Sequence, residues 1–419
     1  MSRGRVDTMI TKDLILKLFE GFSIERWTDL VRPFELIEMD KSAEKMVLVY
    51  IIGKFEEHKG RSVDWDWMIH ASLFELFRKI ALCDIKSPLQ RRIRTEYPDE
   101  YRRLNEWVAV QYKDIIQDDD LYERFYAYVT KNGKSDAETH ISERIFNAAH
   151  KFSALREFEM IAGVNERYRL KNIEKELNAE IQPFLDLEGL QLLVAKQRPY
   201  EFLMVLEQLR FQVRWNQTPR VPKTTVLGHS FFVALVTLLL ARRYEKSCAD
   251  MGIAFNLCPK RRFNDFFSGL FHDLPEAVTR DIISPVKQAT DTLPSVVKLI
   301  EAETVESDLR PLMEDIYADE LMYFTGDEFE NRILVDGKPQ TVSFEDLNTR
   351  YNEDIFSPVD GRLVRIADHI AAFVEADSSI RYGITSTQLE SGRKNLLELY
   401  PQGKIINGFE PASFFGFFR

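Results

Sequence analysis

The sequence predicts an all-α protein, because apolar residues recur at a helical spacing of three to four positions along most of the chain. The segments "DWMIHASLFELFRKIAL", "HSFFVALVTLLLARRYEK" and "GRLVRIADHIAAFVEA" show this pattern most plainly. Residues 332–344 are the exception, since Asp-Gly between two β-prone runs predicts a hairpin. We therefore expect helical bundles with one small β-hairpin insertion near 332–344.

Three short matches recur in the same order in the two halves of the 419-residue chain. They are Arg26-Trp27 with Arg214-Trp215, "CDIKSPLQ" (83–90) with "RDIISPVK" (280–287), and "AAHKFSALREFE" (148–159) with "IADHIAAFVEA" (366–376). Their spacing predicts duplication at domain length, although any two amphipathic helices share some likeness. We expect one helical domain over 1–180 and another over 190–419, divided near the charged stretch 165–190.

The overall composition is that of an ordinary globular protein, with 45% apolar and 29% charged residues. The formal net charge is −11, so no global basic field attracts nucleic acid. An anionic substrate must therefore be bound by local arginines, lysines or a metal.

Cysteine usage and hydropathy predict a cytoplasmic location. The three cysteines (Cys83, Cys248 and Cys258) form no CxxC pair and are odd in number, which fits a reducing compartment. Charges interrupt the apolar residues at the N-terminus, so we expect no signal peptide. The longest apolar run, 231–241, is too short to span a bilayer, and we expect no membrane association.

The second half carries four side chains suited to a divalent cation, namely His229, His272, Asp273 and Asp368. Each adjoins a helical apolar pattern, so a bundle could gather them. Two imidazoles and two carboxylates suit a borderline cation such as Mn, Fe, Co or Zn, with open positions for water and hence for hydrolysis. Taken singly, each residue is more often a structural histidine, a cap or an ion-pair partner.

The order of these residues resembles the HD-domain metal-dependent phosphohydrolases, which are named for a His…His-Asp…Asp set on a helical bundle. Over roughly residues 195–380, "RWNQTPRVPKTTVLGHSFFVALVTLLLA", "LFHDLPEAVTRDIISPVK" and "SPVDGRLVRIADHIAAFVEA" are similar to the bacterial 5′-deoxynucleotidase branch. In that branch an Arg-Trp pair precedes the first His by about 15 residues, and the pattern H-D-x-x-E-x-x-x-x-D follows. The resemblance implies an HD-domain helical bundle.

The resemblance also implies a role for each matching residue. The metal (Mn, Co, Fe, Zn or Mg) would be bound by His229, His272, Asp273 and Asp368; Glu276 would accept a proton beside the bound water; Asp281 would position or activate the nucleophile; Arg214 would contact the substrate phosphate; and Trp215 would pack near the sugar. A carboxylate beside an activated water and a guanidinium that binds two phosphate oxygens are consistent with these roles. Arg220 and Lys287 are second candidates for anion contact, with ordinary surface charge as the alternative.

The first half lacks the corresponding ligands. The position of His229 falls on Lys41 or Lys45, that of His272-Asp273 on Glu75-Leu76, and that of Asp368 on His150. We therefore expect residues 1–180 to be a degenerate copy, without metal or hydrolytic activity. Such a copy would bury an apolar face of the catalytic half or pair with another subunit in a homodimer.

These observations predict a metal-dependent phosphohydrolase acting on a nucleotide substrate, a (deoxy)nucleoside 5′-monophosphate. The alternatives are another nucleotide or phosphate ester, such as a dNTP or a cyclic dinucleotide, and a nucleotide-binding regulatory protein. The Gly-Tyr-Pro signature of the branch that cleaves cyclic dinucleotides does not follow His272-Asp273. The long segments 242–265 and 310–358 are insertions that could alter access to the site, so the identity of the substrate is left open.

Overall fold

The helices begin where the sequence supplies capping side chains. A computed structural model describes residues 10–130, 140–280 and 290–418. In it, the side chains of Thr11, Asp64, Thr225 and Ser386 each accept a hydrogen bond from a backbone N–H in the first turn of the helix that follows. These bonds satisfy donors that a helix start would otherwise leave unpaired.

Helices account for most of the described residues. In chain order they are α1 Lys12–Phe19, α2 Glu38–His58, α3 Trp65–Leu82, α4 Ser87–Glu96, α5 Pro98–Val110, α6 Asp119–Thr130, α7 His140–Ala162, α8 Arg167–Ile181, α9 Glu188–Val194, α10 Arg198–Leu206, α11 Val226–Asp250, α12 Pro259–Phe271, α13 Glu276–Thr279, α14 Leu293–Thr304, α15 Asp315–Thr325, α16 Phe344–Thr349, α17 Gly361–Arg381, α18 Thr387–Leu399 and α19 Pro411–Phe415.

In the part of the chain that the structure describes, the β strands form one small sheet at the predicted place. Strand β1 (Asn331–Val335) pairs antiparallel with β2 (Lys338–Thr341), and a short β3 (Val359–Asp360) pairs with the other edge of β1. The turn places Asp336 at φ 51° and Gly337 at φ 73°, the two left-handed positions that an Asp-Gly hairpin supplies. The predicted all-α class with one small hairpin is confirmed.

Helix α11 is the central helix of the fold. It packs against α12 and α17 from its own half and against α2 from the first half. One hydrophobic core therefore runs through both halves, and it includes Met46, Phe232 and Phe267. By length and composition α11 could cross a membrane, with a window of mean hydropathy 1.5, but 94% of that window is buried inside the fold. Its apolar character is accounted for by its central position.

Helices α11 and α12 approach each other at a glycine. A Cβ atom on Gly269 would lie 2.8 Å from Ala234 Cα and 3.1 Å from Ala234 N, closer than real side chains approach a backbone. The missing side chain lets the two backbones pack directly, as the density of protein interiors requires. The end of α12, where His272 follows, is thereby held beside α11.

The two halves share a local arrangement around their Arg-Trp pairs. Trp27 has φ 56° and Trp215 has φ 58°, both in the left-handed region. An isolated antiparallel bridge, Glu25–Ile37 in the first half and Val213–Thr225 in the second, closes each loop directly before the long helix α2 or α11. Helix α2 then packs against α3 and α7, as α11 packs against α12 and α17.

The charged stretch 165–190 contains α8 and lies between these two groups of helices. The division into domains at 1–180 and 190–419 stays a prediction, since a single core joins the halves.

The contact at Gly269 predicts a stability effect. We expect Gly269→Ala to destabilise the protein by about 1–3 kcal/mol, because the added methyl must push α12 away from the backbone of α11. The matched control is Gly163→Ala, where a Cβ meets nothing within 4 Å. Thermal unfolding of the three proteins checks this, and equal midpoints for the two variants would contradict the close packing.

Candidate metal centre

His229 lies in the first turn of α11 and is fully buried, at 0% exposure. Its Nδ1 lies 3.2 Å from Glu375 Oε1, and its Nε2 lies 3.0 Å from Asp368 Oδ1. Because a carboxylate can only accept here, Nδ1–H donates to Glu375. The second ring nitrogen, Nε2, faces Asp368, so the ring lies between two carboxylates, and a carboxylate on the far nitrogen is the partner that orients metal-binding histidines.

His272 and Asp273 directly follow the last turn of α12. His272 Nδ1 donates to the backbone oxygen of Gly269 at 2.8 Å. Its Nε2 is buried and makes no hydrogen bond with the described residues, although Asp273 Oδ2 lies 3.2 Å away. The bond from Nδ1 fixes the ring, and a buried nitrogen that faces a carboxylate in this way is suited to binding a ligand.

Asp368 and Glu375 lie two helical turns apart on one face of α17, so that both side chains point towards α11. Ligand atoms of His229, His272 and Asp368 all lie within 4.8 Å of one another, close enough to hold one cation. Asp273 Oδ2 lies 4.0 Å from His229 Nε2, at the edge of the same space. The structure therefore brings the four predicted ligands together.

The charges of the centre act strongly on one another. Burial lowers the pKa of His272, but the Asp273 carboxylate outweighs it and raises the pKa to about 9. Burial raises the pKa of Asp273, and the His272 and Arg214 charges outweigh it and lower the pKa to about 2. Similarly, hydrogen bonding and charge from His229 hold the pKa of Asp368 well below its usual range despite burial. Both carboxylates are thus ionised and attract a cation.

Arg214 lies beside the centre and faces three carboxylates. Its Nε lies 3.4 Å from Glu375 Oε2, one terminal nitrogen 3.5 Å from Asp273 Oδ2, and the other 3.8 Å from Asp368 Oδ1. Burial lowers its pKa, and the surrounding charges, Glu375 first, raise the pKa well above its usual range. The guanidinium is positioned next to the candidate ligands, where a bound anion would also lie.

Trp215 contacts the frame of the site. Its Nε1–H donates to Glu375 Oε2 at 2.8 Å. Its ring lies against Gly392 of α18, where a Cβ would come within 2.6 Å of Trp215 Cη2. The predicted contact with a sugar stays a prediction, because the described contacts of this side chain are with α17 and α18.

The other predicted residues differ in what the structure describes. Glu276 begins α13, is buried, and lies near enough to Arg214 for its charge to raise the pKa of that guanidinium. Asp281 and Lys287 lie outside the described residues. Arg220 is buried and donates to the Pro222 carbonyl at 3.0 Å and to the Thr224 hydroxyl. It therefore stabilises the loop 220–224 and is not a surface charge.

Two site residues were missed by reasoning from the sequence. Glu375 is 1% exposed and accepts from Arg214, Trp215, Thr224 and His229, with the Thr224 hydroxyl at 2.8 Å from Oε1. A charged residue inside the apolar face of "IADHIAAFVEA" was the available signal for Glu375. Nothing in the local sequence marks Thr224, whose role depends on the packing of α17.

The segment before the hairpin forms one wall of the centre. The Phe329 ring lies 6.1 Å from that of His272, and the Arg365 guanidinium lies 5.4 Å from the Phe329 centroid. Burial raises the pKa of nearby Glu328, whose carboxyl group is within electrostatic reach of His272 and Asp273. The elaborate segment 310–358 therefore borders the space that a substrate would enter.

Residues 206–397 match a family model described as HD domain. No curated protein sequence matches the chain significantly. The family match supports placing this part of the chain in the HD-domain superfamily, whose members are in general metal-dependent phosphohydrolases that bind divalent metals. The match covers α11, α12 and α17, the three helices that carry the candidate ligands.

The contacts of Glu375 predict its effect on metal binding. We expect Glu375→Gln to weaken metal affinity by about 10–100-fold, because an amide has one accepting oxygen and cannot accept from His229 and from the Arg214 and Trp215 donors at once, so the imidazole loses its fixed orientation. Calorimetric titration of metal-stripped protein with Mn²⁺ and Zn²⁺ measures this. Glu390→Gln on the exposed face of α18 is the control; equal affinities in both variants would show that Glu375 does not orient a ligand.

Proposed function

We propose that the HD domain of this protein hydrolyses the phosphate ester of a small nucleotide, with a deoxynucleoside 5′-monophosphate as the first candidate. The observation that carries the proposal is the convergence of His229, His272 and Asp368 on one space beside the guanidinium of Arg214. A group of metal ligands next to a phosphate-binding cation is the arrangement that phosphoryl hydrolysis requires. The proposed substrate also rests on the resemblance to the 5′-deoxynucleotidase branch.

The side chains present fit a divalent cation. The buried Nε2 of His272 makes no hydrogen bond with the described residues, and His229 is oriented by a carboxylate on its other nitrogen. In this proposal His229, His272, Asp273 and Asp368 hold Mn, Co, Fe, Zn or Mg, since two imidazoles and two carboxylates suit such ions. When bound, the cation polarises a phosphoryl oxygen and lowers the pKa of a water molecule.

Arg214 would bind the substrate phosphate. Its terminal nitrogens now face Asp273 and Asp368 at 3.5 and 3.8 Å. With these carboxylates holding a cation, the guanidinium would be available for two phosphate oxygens. The Nε atom of Arg214 remains paired with Glu375, which fixes the plane of the guanidinium group.

Glu276 would take the proton of the attacking water at its carboxylate. It starts α13 directly after the His272-Asp273 turn, and its backbone N–H donates to the Asp273 oxygen at 3.0 Å. A carboxylate so placed can act as a general base. Asp281 would support it, as the family resemblance implies; Trp215 would shape the sugar side of the site through its fixed indole.

The first half, residues 1–180, is proposed to be a degenerate copy of the catalytic half, 190–419. The recurrence of the Arg-Trp loop, its bridge and the following helix triplet supports this proposal. With a net charge of −11, we further propose a cytoplasmic enzyme without nucleic-acid or membrane partners, which forms a homodimer if the first half pairs with a second copy.

Loss of a ligand tests the metal assignment. We expect Asp273→Ala to lose bound metal and phosphatase activity while it keeps its helical circular dichroism, because one ionised carboxylate leaves the centre. Metal content per chain and hydrolysis are measured beside Asp319→Ala, an exposed control. Full metal occupancy in Asp273→Ala would refute the assignment.

The substrate is tested with deoxy- and ribonucleoside mono- and triphosphates and with a cyclic dinucleotide, in Mn²⁺, Co²⁺, Mg²⁺ and Zn²⁺. We expect the deoxynucleoside monophosphates to give the highest kcat/KM. Preference for a triphosphate or a cyclic dinucleotide would replace the substrate but keep the phosphohydrolase. Absence of hydrolysis by metal-loaded protein would instead favour the regulatory alternative.

Arg214 variants test phosphate recognition. We expect Arg214→Ala to lower kcat/KM by about 10–100-fold, chiefly through KM, because a charge-assisted hydrogen bond is lost. Arg214→Lys should restore only part of this, since a point charge cannot replace the two-pronged contact. Metal content is measured in parallel, and unchanged kinetics in both variants would remove Arg214 from the substrate site.

A further inference from the structure

The first half contains a large open cleft of about 1020 Å³. Basic residues on α3, α4 and α7 line it together with a group of aromatic side chains. These lining residues include Lys79, Arg94, His150, Trp67, Tyr128 and Phe146. A cleft of this size exceeds the space of an inorganic anion and is typical of sites for small organic ligands.

The cleft occupies the place that corresponds to the candidate metal centre. His150 precedes Glu157 on α7 by two helical turns, as Asp368 precedes Glu375 on α17. Glu157 accepts from Arg26 Nε and Trp27 Nε1 at 3.0 and 2.9 Å, as Glu375 accepts from the second Arg-Trp pair. The two sites therefore share the hydrogen bonds of the Arg-Trp pair to a glutamate, while the bonds of Glu375 to Thr224 and His229 have no counterpart at Glu157 among the described residues.

Lysines lie where the second half has a metal ligand. Lys41 is in the first turn of α2, at the place His229 has in α11, and Lys45 follows one turn later. They are only 2% and 3% exposed, and neither makes a hydrogen bond or ion pair with the described residues. Lys45 Nζ lies 4.3 Å from the centroid of Phe146, which lines the cleft. A buried ammonium without a close counter-ion is costly, and an anion would offset that cost.

His150 lines the cleft and lies within electrostatic reach of four lysines. Its pKa lies well below the usual range because of the Lys41 charge first, then burial, and then Lys45, Lys79 and Lys151. The ring is therefore neutral and makes no hydrogen bond with the described residues, which leaves a donor for an anion. Burial, the largest cause, likewise lowers the pKa of Lys41 to about 7 and that of Lys45 to about 8.

Three of the acidic side chains nearby are engaged, and Glu143 also lines the cleft. Glu38 accepts from Arg26 at 2.7 Å, Glu75 accepts from the Tyr128 hydroxyl at 3.0 Å, and Glu180 pairs with Lys151 at 2.8 Å. Within the described residues, the lysines and arginines that line the cleft (Arg78, Lys79, Arg91, Arg94, Arg124 and Lys151) outnumber the acids that line it (Glu75, Glu143 and Glu180). The place that holds the candidate cation ligand His229 in the second half holds a positively charged lysine, Lys41, in the first half.

We propose that this cleft is a second ligand site that binds an organic phosphate without metal. Lys79 on the wall of the cleft supplies charge for the phosphate, the buried Lys41 and Lys45, which do not line the cleft, add to the positive potential, and the imidazole of His150 donates a hydrogen bond to the phosphate. Trp67, Tyr128 and Phe146 form the apolar wall against which the organic part packs. The site is independent of the proposed hydrolysis in the second half.

Binding is measured by calorimetry on the full-length chain carrying Asp273→Ala, with chelator present, so that the candidate metal centre does not contribute. The probes are deoxyadenosine 5′-monophosphate, adenosine 5′-monophosphate, ribose 5-phosphate and inorganic phosphate. We expect at least one organic phosphate to bind saturably with one site per chain and more tightly than inorganic phosphate. Lys79→Met should weaken it by about tenfold or more, because a charge-assisted contact is lost.

Further variants make the test specific. Lys41→Met should weaken binding similarly and, if its fold fails, Lys79→Met at the half-buried cleft wall carries the result alone. Lys171→Met on exposed α8 should leave affinity unchanged. In the native background Lys79→Met should keep its metal content and hydrolysis. Absence of saturable binding, binding of inorganic phosphate only, or binding that Lys79→Met does not weaken would each overturn the proposal.

Discussion

The packing of the second half depends on one buried carboxylate, that of Glu375, which needs hydrogen-bond donors. Glu375 is 1% exposed, and an ionised group in that position is tolerated only when its oxygens are hydrogen-bonded. Its donors come from the Arg-Trp loop, from Thr224 and from His229 at the start of α11. By collecting them, Glu375 joins α17, α11 and the loop, and it sets the orientation of the imidazole that faces the candidate metal centre.

The same arrangement in the first half supports a different chemistry. Glu157 holds Arg26 and Trp27 as Glu375 holds the second pair. Around this frame, however, lysines take the place of the histidine, and their charges favour an anion over a cation. In the first half Glu157 is hydrogen-bonded by Arg26 and Trp27 without a residue at the ligand position, which allows such a change, whereas in the second half His229 is itself one of the donors.

The two halves are joined by buried charges as well as by the apolar core. Arg210, which lies shortly before the second Arg-Trp pair, bonds to Glu44 on α2 and lies 3.6 Å from Glu157 on α7. Arg156 on α7 binds Glu207 at 2.9 Å. Removing one partner of such a pair would leave a buried charge and cost about 3–5 kcal/mol. The relative placement of the halves is therefore specified by these directional ion pairs as well as by the contact of apolar surfaces.

The sequence by itself determined the helical class, the hairpin and the resemblance of the second half to HD-domain proteins, which the family match supports. Helical periodicity is a local property, and Asp-Gly between β-prone runs specifies its turn through the backbone angles of two residues. The four candidate ligands were also visible, because their order along the chain is distinctive. Only the tertiary structure decided what supports them. Glu375 on α17 hydrogen-bonds to His229 on α11. The approach of α12 to α11 depends on the contact of Gly269 with Ala234, which is far away in sequence. The cationic cleft of the first half was likewise beyond the sequence, since whether a lysine is solvated or buried without a partner depends on which side chains the fold places around it.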